Sequence, residues 1–542
     1  MVKKKTTVGE YLIARLVEHG VKHVFGVPGD YVLTFYDQLL ESKLKTVGTC
    51  TEAGAGFAAD AYARVNGLGV CCVTYCVGGL NTVNAVAGAY AEKSPMVVIS
   101  GAPGMGERVH SPLLHHKVKD FSTQREIFEK ITVASVAIED PASAPRKIDA
   151  ALEACIQQKR PVYLELPRDV IGQACDAPVR SKAIALESDA PVLEEVLEEA
   201  AGMLRAAKRP VVLAGVEIHR FGLQDQLLAL VEKTGYPVAA TLLGKSIVTE
   251  NHPQYLGIYE GAMGRHDVCR KVEGADCVLI LGAFMTDINL GIYTAQLDVV
   301  KTIHATSEGI AIKRHRYDGV RLGHFIDGLT QARLGKKLAV KKRTLKQEVF
   351  KPQAKKALTI RRFFKRMNTF IDENTMVIAD IGDSLFGAAD LVIQKRTEFL
   401  SPAYYTSMGF AIPAALGAQM NQRKLRPVVF VGDGAFQMTG MELSTIAKEG
   451  LNPIVFVLNN KGYSTERFIN DGAYNDIHDW NFHAVPALLG TGWGCEARTE
   501  GELEEALTQA IKNRGAFSII NVHLDPYDRS SAMERLGKRL SE

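Results

Sequence analysis

Two short apolar runs joined by a helix-length segment constrain this chain more than any other feature. From 428 to 462 it reads VVFVGDGAFQMTGMELSTIAKEGLNPIVFVLNNKG. The run 428–431 ends in Gly432-Asp433-Gly434, and the run 454–458 ends in Asn459-Asn460. Two β-type runs around a helical segment make a βαβ unit with parallel strands and a right-handed crossover. Both strands then finish on one edge of the sheet, where open α/β sheets bind ligands. Asp433 and Asn460 are thereby predicted to stand side by side.

Such a pair suits a hard cation. Magnesium takes oxygen ligands, usually phosphate oxygens among them, with only one or two protein carboxylates. Asp433 offers a carboxylate, Asn460 an amide oxygen, and the turn after it a backbone carbonyl, that of Gly462. The glycines flanking Asp433 let phosphate oxygens reach the backbone, and the helix start behind them favours negative charge. Either turn alone is an ordinary turn. Together, each closing an apolar strand, they argue for a site.

The rest of the chain sets bounds. At 542 residues it has room for three or four domains, and 46% hydrophobic with 23% charged residues is ordinary for globular protein with real cores. A net charge of +3 is too balanced to argue for nucleic acid. The nine cysteines include no Cys-x-x-Cys pair, so neither a zinc site nor a disulfide framework is indicated. Reduced thiols in a cytoplasmic protein are expected. The basic N-terminus lacks the apolar segment of a signal peptide, and no apolar run approaches a membrane span.

Along the chain, strands are expected at 24–30, 46–51, 70–75, 96–100 and 162–166, with helices at 6–20, 54–64 and 81–91. Strands alternating with helices at this spacing mean a parallel α/β layer. A first domain is placed at 1–180, followed by a linker at 176–191. A second, Rossmann-like domain covers 192–335, with strands at 210–214, 278–281 and 301–304. It has no Gly-x-Gly-x-x-Gly, so no dinucleotide site is claimed. Residues 333–356 are basic and poor in apolar residues, which reads as a solvated linker rather than a nucleic-acid patch. The third domain covers 358–542. The fold class is α/β, three doubly wound parallel-sheet domains.

Three further segments carry chemistry. Cys50-Thr51-Glu52-Ala53-Gly54 puts one carboxylate at a strand end among small neighbours. Burial there would raise its pKa and suit proton exchange, whereas a helix N-terminal glutamate is the alternative. His115-His116 is a loop pair without a third ligand at metal spacing, but histidine carries protons at neutral pH. Glu466-Arg467 reads blandly as a surface ion pair.

Gly432-Asp433-Gly434, the interval after it and Asn459-Asn460 resemble the cofactor signature of thiamine diphosphate enzymes. Glu52 with GFAADAYAR after it resembles the segment whose glutamate bonds the cofactor's aminopyrimidine ring. His115-His116 after VVISGAP, with Gly29-Asp30, resembles the 2-oxo acid decarboxylase branch, which includes pyruvate, indolepyruvate and phenylpyruvate decarboxylases. Wider stretches such as VNAVAGAYAEKSPMVVISGAP are most similar to the phenylpyruvate type.

The resemblance covers essentially the full length. It implies pyrimidine-binding, middle and diphosphate-binding domains, with active sites shared between subunits of a homodimer or, more usually, a homotetramer. It implies Glu52, Asp30, His115, His116 and Glu466 as catalytic residues, and Asp433, Asn460 and Gly462 as magnesium ligands. For thiamine diphosphate it adds Thr74, Gly382, Asp383, Ser384 and Met408, the last as the wedge that bends the cofactor. Gly432, Gly434, Ala435 and Tyr463 complete that set.

Ile381, Thr465, Ile469 and Leu536 are then expected to line the substrate pocket. Pyruvate decarboxylases often carry threonine at Ile381, isoleucine at Thr465 and an aromatic near Leu536. The smaller Thr465 and Leu536 predict a widened pocket for a bulky apolar or aromatic 2-oxo acid. Against this, phenylpyruvate-type relatives can lack the carboxylate at Glu466. A second departure is Thr51-Glu52-Ala53-Gly54, where pyruvate-type enzymes place asparagines beside the glutamate. Pyruvate decarboxylase is the alternative, then an acetolactate-synthase-like carboligase, then a non-catalytic phosphate-binding scaffold. The scaffold leaves Glu52, both histidines and Glu466 unexplained.

Overall fold

The computed structural model describes residues 6–176, 187–340, 349–395 and 397–541. Three large sheets follow one another along the chain, beside a two-stranded antiparallel pair, Thr6–Thr7 with Ala174–Cys175. In the first, six parallel strands run in the order Lys45–Gly48, His23–Val27, Gly69–Val73, Met96–Ala102, Val162–Pro167, Ala134–Ala137. The third sheet is also six-stranded and parallel, in the order Phe399–Leu400, Thr375–Ala379, Arg426–Gly432, Ile454–Asn459, Ser518–His523, Trp493–Ala497. The middle sheet has seven strands and departs from a purely parallel pattern. Five are parallel, from Tyr255–Ile258 across to Thr302–Thr306. A hairpin, Gly309–Ile312 and His315–Tyr317, then adds an antiparallel edge.

Strands of the third sheet read as continuous apolar runs because both of their faces are covered. Side chains alternate across a strand, so Val428, Phe430 and Phe456 join one core while Val429, Val431, Val455 and Val457 join another. The first core is shared with the middle domain and the second with the first domain. The pivotal contact in the second is helix Glu52–Asn66 against helix Ala411–Asn421. Both are rich in alanine and glycine, and they touch closely. A Cβ on Gly417 would lie 1.9 Å from the Ala58 carbonyl oxygen. One face of the third sheet is thus tied to the helix that begins with Glu52.

Local departures from the expected elements have plain causes. The strand before Glu52 stops at Gly48, and Thr51 caps a helix that starts at Glu52 itself by accepting the Gly54 N–H. The expected helix 81–91 is broken at Thr82 into Val77–Asn81 and Val83–Ala91. Ala190 and Pro191, placed in the first linker, open helix Ala190–Ala206, because proline fits the first helical turn. The other end of the second linker is docked: Gln353 N–H donates to Glu500 at 2.7 Å. Residues 177–186 and 341–348 of the two linkers lie outside the described residues.

Candidate active site

Strands Arg426–Gly432 and Ile454–Asn459 are hydrogen-bonded neighbours with Gly432 opposite Leu458. Asp433 opens the next helix, Asp433–Thr439, and Asn460 follows the second strand. The two loops meet. Asp433 Oδ1 accepts the Gly434 N–H at 2.8 Å and Oδ2 accepts the Gly462 N–H at 3.1 Å. Burial pushes the Asp433 carboxyl up to about 6, against the pull of these amides. Asn460 Oδ1 is buried and finds no hydrogen-bond partner among the described residues. A buried polar atom left so costs about 1–3 kcal/mol, and a cation beside Asp433 would satisfy it.

Backbone geometry around this pair requires glycine. Gly462 has φ +144°, and a Cβ there would sit 2.0 Å from the Asn475 carbonyl oxygen. A Cβ on Gly434 would strike the Tyr463 ring at 2.4 Å, whereas one on Gly432 would meet nothing within 4 Å. Gly432 faces open space, and that space is a cavity of about 330 Å³. Gly432, Asp433, Gly434 and Ala435 form its floor with Asn460 and Gly462. Tyr463, Thr465 and Glu466 line it from the helix Ser464–Ile469 and the turn before it. Ile381, Gly382, Asp383 and Ser384 close another side, and Met408 enters from a third.

Sequence reasoning missed two residues that hold these walls, Arg467 and Asp380. Arg467 does not pair with Glu466. It is buried and donates to the Asn460 and Lys461 carbonyls at 3.3 and 3.0 Å, bracing the turn that presents Asn460. Asp380 accepts the Gly409 and Ala411 N–H groups at 3.2 and 2.9 Å and so fixes the loop carrying Met408; burial pushes it up to about 6. Asp383 is likewise pushed up to about 6 by burial, opposed by Ser530. Charged residues in such loops look solvated from sequence alone.

The first domain carries the second group. Glu52 is half-buried rather than buried, and its Oε2 accepts from Asn81 Nδ2 at 2.8 Å. Glu442 of the third domain is the missed residue here. Its carboxylate is buried and accepts the Cys50 and Thr51 N–H groups, each at 3.1 Å, immediately before Glu52. Gly54 makes room for it: a Cβ there would lie 2.1 Å from Glu442 Oε1. Thr74 is buried with its Oγ1 unpartnered.

His115 Nε2 lies 2.7 Å from Asp30 Oδ2, its ring stacks on Tyr31 at 4.7 Å, and the His116 ring stands 4.8 Å away at 81°. Asp30, 85 residues from His115, is thus brought to the histidine pair.

Within one chain the two groups stay apart. Glu52, Asp30, Thr74, His115 and His116 do not line the third-domain cavity. Nor do two of the residues expected in the substrate pocket. Ile469 is 75% exposed at the end of its helix, and Leu536 packs in the core shared by the middle and third domains. Ile381 and Thr465 do line it.

Comparison with known proteins adds to this geometry. Residues 6–124 match the N-terminal TPP binding domain of thiamine pyrophosphate enzymes, 197–327 the central domain and 380–522 the C-terminal TPP binding domain. The chain is 37% identical over 525 residues to an indole-3-pyruvate decarboxylase of Azospirillum brasilense, covering 95% of this chain and 94% of that one. It is 34% identical over 534 residues to an alpha-keto-acid decarboxylase of Mycolicibacterium paratuberculosis, covering 96% and 94%. A probable pyruvate decarboxylase of Schizosaccharomyces pombe is 32% identical over 552 residues, covering 99% and 96%.

Proposed function

The chain belongs to the thiamine diphosphate-dependent 2-oxo acid decarboxylases, and from that premise we propose that it converts a bulky apolar or aromatic 2-oxo acid to an aldehyde and carbon dioxide. The observation that carries the site is the unpartnered, buried Asn460 oxygen beside the Asp433 carboxylate under a glycine-floored cavity. Such a donor set fits magnesium holding a diphosphate.

Asp433, Asn460 and the Gly462 carbonyl would hold the cation. Thiamine diphosphate, when bound, supplies the electron sink for the pair left behind by carbon dioxide. The protein's work is to orient and to move protons. Glu52, steadied by Asn81 and by Glu442 beneath its backbone, would exchange a proton at the pyrimidine end. Asp30, His115, His116 and Glu466 would steer the substrate carboxylate and deliver the proton that completes the aldehyde. Met408, held by the Asp380-anchored loop, would shape the cofactor.

With Leu536 in the core, substrate width rests on Thr465 and the pocket's apolar character on Ile381, the two expected pocket residues that line the cavity. The relatives' names span indolepyruvate and pyruvate, so width is what the proposal adds. It also takes the working form to be at least a homodimer, usually a homotetramer, in the cytoplasm. The separation of the two groups of residues within one chain supports the first point, and nine free thiols support the second.

Aldehyde release coupled to alcohol dehydrogenase and NADH tests the reading, with phenylpyruvate, indolepyruvate, a branched-chain 2-oxo acid and pyruvate as substrates. Higher kcat/KM for the aromatic acids is the expected result. Preference for pyruvate would overturn the pocket argument, and acetolactate-type products without aldehyde would overturn the decarboxylase assignment.

A further inference from the structure

The histidine pair lacks a third ligand in the sequence, but the fold supplies one. Asp30, His115 and His116 each place one ligating atom within 4.8 Å of the other two. Two imidazoles and one carboxylate are a donor set that imidazole-preferring transition metals accept. Magnesium prefers all-oxygen ligands, so this set is chemically distinct from Asp433, Asn460 and Gly462.

The surroundings hold the donors in place. The Tyr31 hydroxyl lies 3.4 Å from His115 Nδ1, and its ring stacks on the imidazole, so Nε2 is the nitrogen turned to Asp30. A hydrogen bond at the far ring nitrogen is how metal-binding histidines are usually oriented. His116 Nδ1 is buried and has no hydrogen-bond partner among the described residues. The His115–Asp30 hydrogen bond of 2.7 Å is the one contact a metal must replace. Tetrahedral ligands with bonds near 2.0–2.1 Å stand roughly 3.4 Å apart, so the pair would open by less than about 1 Å.

We propose that Asp30, His115 and His116 form an inhibitory site for a divalent transition metal of the zinc class. Binding would occupy the nitrogen lone pairs and the carboxylate that carry protons in the proposed reaction, and so arrest it. The metal site stands on geometry alone; the arrest rests on the functional reading above.

The test uses the holoenzyme with saturating magnesium and thiamine diphosphate, and cobalt(II) as the spectroscopic probe. One cobalt per chain, with a visible ligand-field band displaced by zinc, is the expected result. Asp30→Asn, His115→Gln and His116→Gln should each weaken cobalt affinity at least about 10-fold. His110→Gln, exposed in the same loop, should leave affinity and turnover unchanged. The second arm reads aldehyde release: zinc should abolish it, and a zinc-selective chelator should restore it while magnesium stays in excess.

A band that survives the His115→Gln/His116→Gln double variant would overturn the site. So would a band lost instead in His523→Gln, whose Nε2 lies 3.0 Å from Glu496 on the third domain. Cobalt bound at the three residues with turnover unaffected by zinc would overturn the arrest. Because the titration needs no turnover, a failed decarboxylase reading would not be mistaken for a failed metal site.

Discussion

The diphosphate edge and the first-domain cluster are built in opposite ways. The former grows from two neighbouring parallel strands, and its polar atoms are buried: Asp433 is 2% exposed and Asn460 7%. The latter is gathered from loops and a helix start that are far apart in sequence. There the side chains of His115 and Asp30 are 58% and 42% exposed. A buried, glycine-walled edge suits tight holding of a charged ligand, and an open cluster suits proton traffic that must await a second surface. The difference teaches that one chain completes the binding half and leaves the chemical half open. In the proposed dimer another chain would close it.

The comparison can be broken from either side. The largest effect is expected at the buried edge. Asp433→Ala should weaken magnesium-dependent cofactor binding more than about 100-fold, since even outer partners of a metal are worth 10–100-fold. Calorimetric titration would show it, and retained tight binding would remove Asp433 from the ligand set. Next, Glu52→Gln should lower kcat by about 10²–10⁴ while cofactor affinity holds. A matching fall in affinity would mean that the two halves are not separable.

Glu442 tests the join between them. Glu442→Ala would strand the Cys50 and Thr51 amides, each at a cost of about 1–3 kcal/mol. Lower stability to denaturant should come with lower kcat, and Glu442→Gln should restore part of both. An unchanged kcat would leave Glu442 structural only.

The pH response of the two halves should also differ. Asp433 is raised from 3.8 to about 6 by burial, with Asp380 and Asp383 raised alike. Folding therefore favours their protonated forms. In the cofactor-free protein the contribution of these three groups should be fully present below about pH 4 and lost, on the order of 1–3 kcal/mol per group, as pH rises through about 6. Cofactor binding, which needs ionised Asp433, should run the other way and weaken below pH 6. Chemical denaturation and titration calorimetry at pH 5 and pH 7 would separate the trends. A pH 5-to-7 change in cofactor-free stability that is the same in wild type and Asp433→Asn would contradict the assignment.

The smallest effect concerns pocket width. Thr465→Ile adds bulk to the cavity lining and should cut kcat/KM for aromatic acids about 10-fold relative to pyruvate. Leu536→Ala should cost stability instead, because Leu536 sits in the core. A selectivity change at Leu536 with stability intact would place it back in the pocket.

What the sequence made legible follows from range. The βαβ unit, its parallel strands and the meeting of Asp433 with the Asn460–Gly462 loop depend on apolar runs and turn residues close together. The strand Ala134–Ala137 and the hairpin Gly309–Ile312/His315–Tyr317 escaped notice because they are short and their burial is mixed. Glu442, Arg467 and Asp380 were invisible for another reason. Each is a charge buried against backbone groups, often far away in sequence, and a charged residue carries no sequence mark of burial. The Asp30–His115 bond escaped for reasons of range alone, joining two exposed side chains 85 residues apart.

In the proposed dimer the binding half of one chain works with the proton-handling half of another. Co-expression of Glu52→Gln and Asp433→Ala chains tests it most directly. Each variant alone should be inactive. A random mixture of dimers should regain about a quarter of the wild-type sites, because each mixed dimer holds one intact site and one doubly altered site. Aldehyde release that stays at the level of the separate variants, in mixed dimers shown to form, would contradict the claim and return the whole site to a single chain.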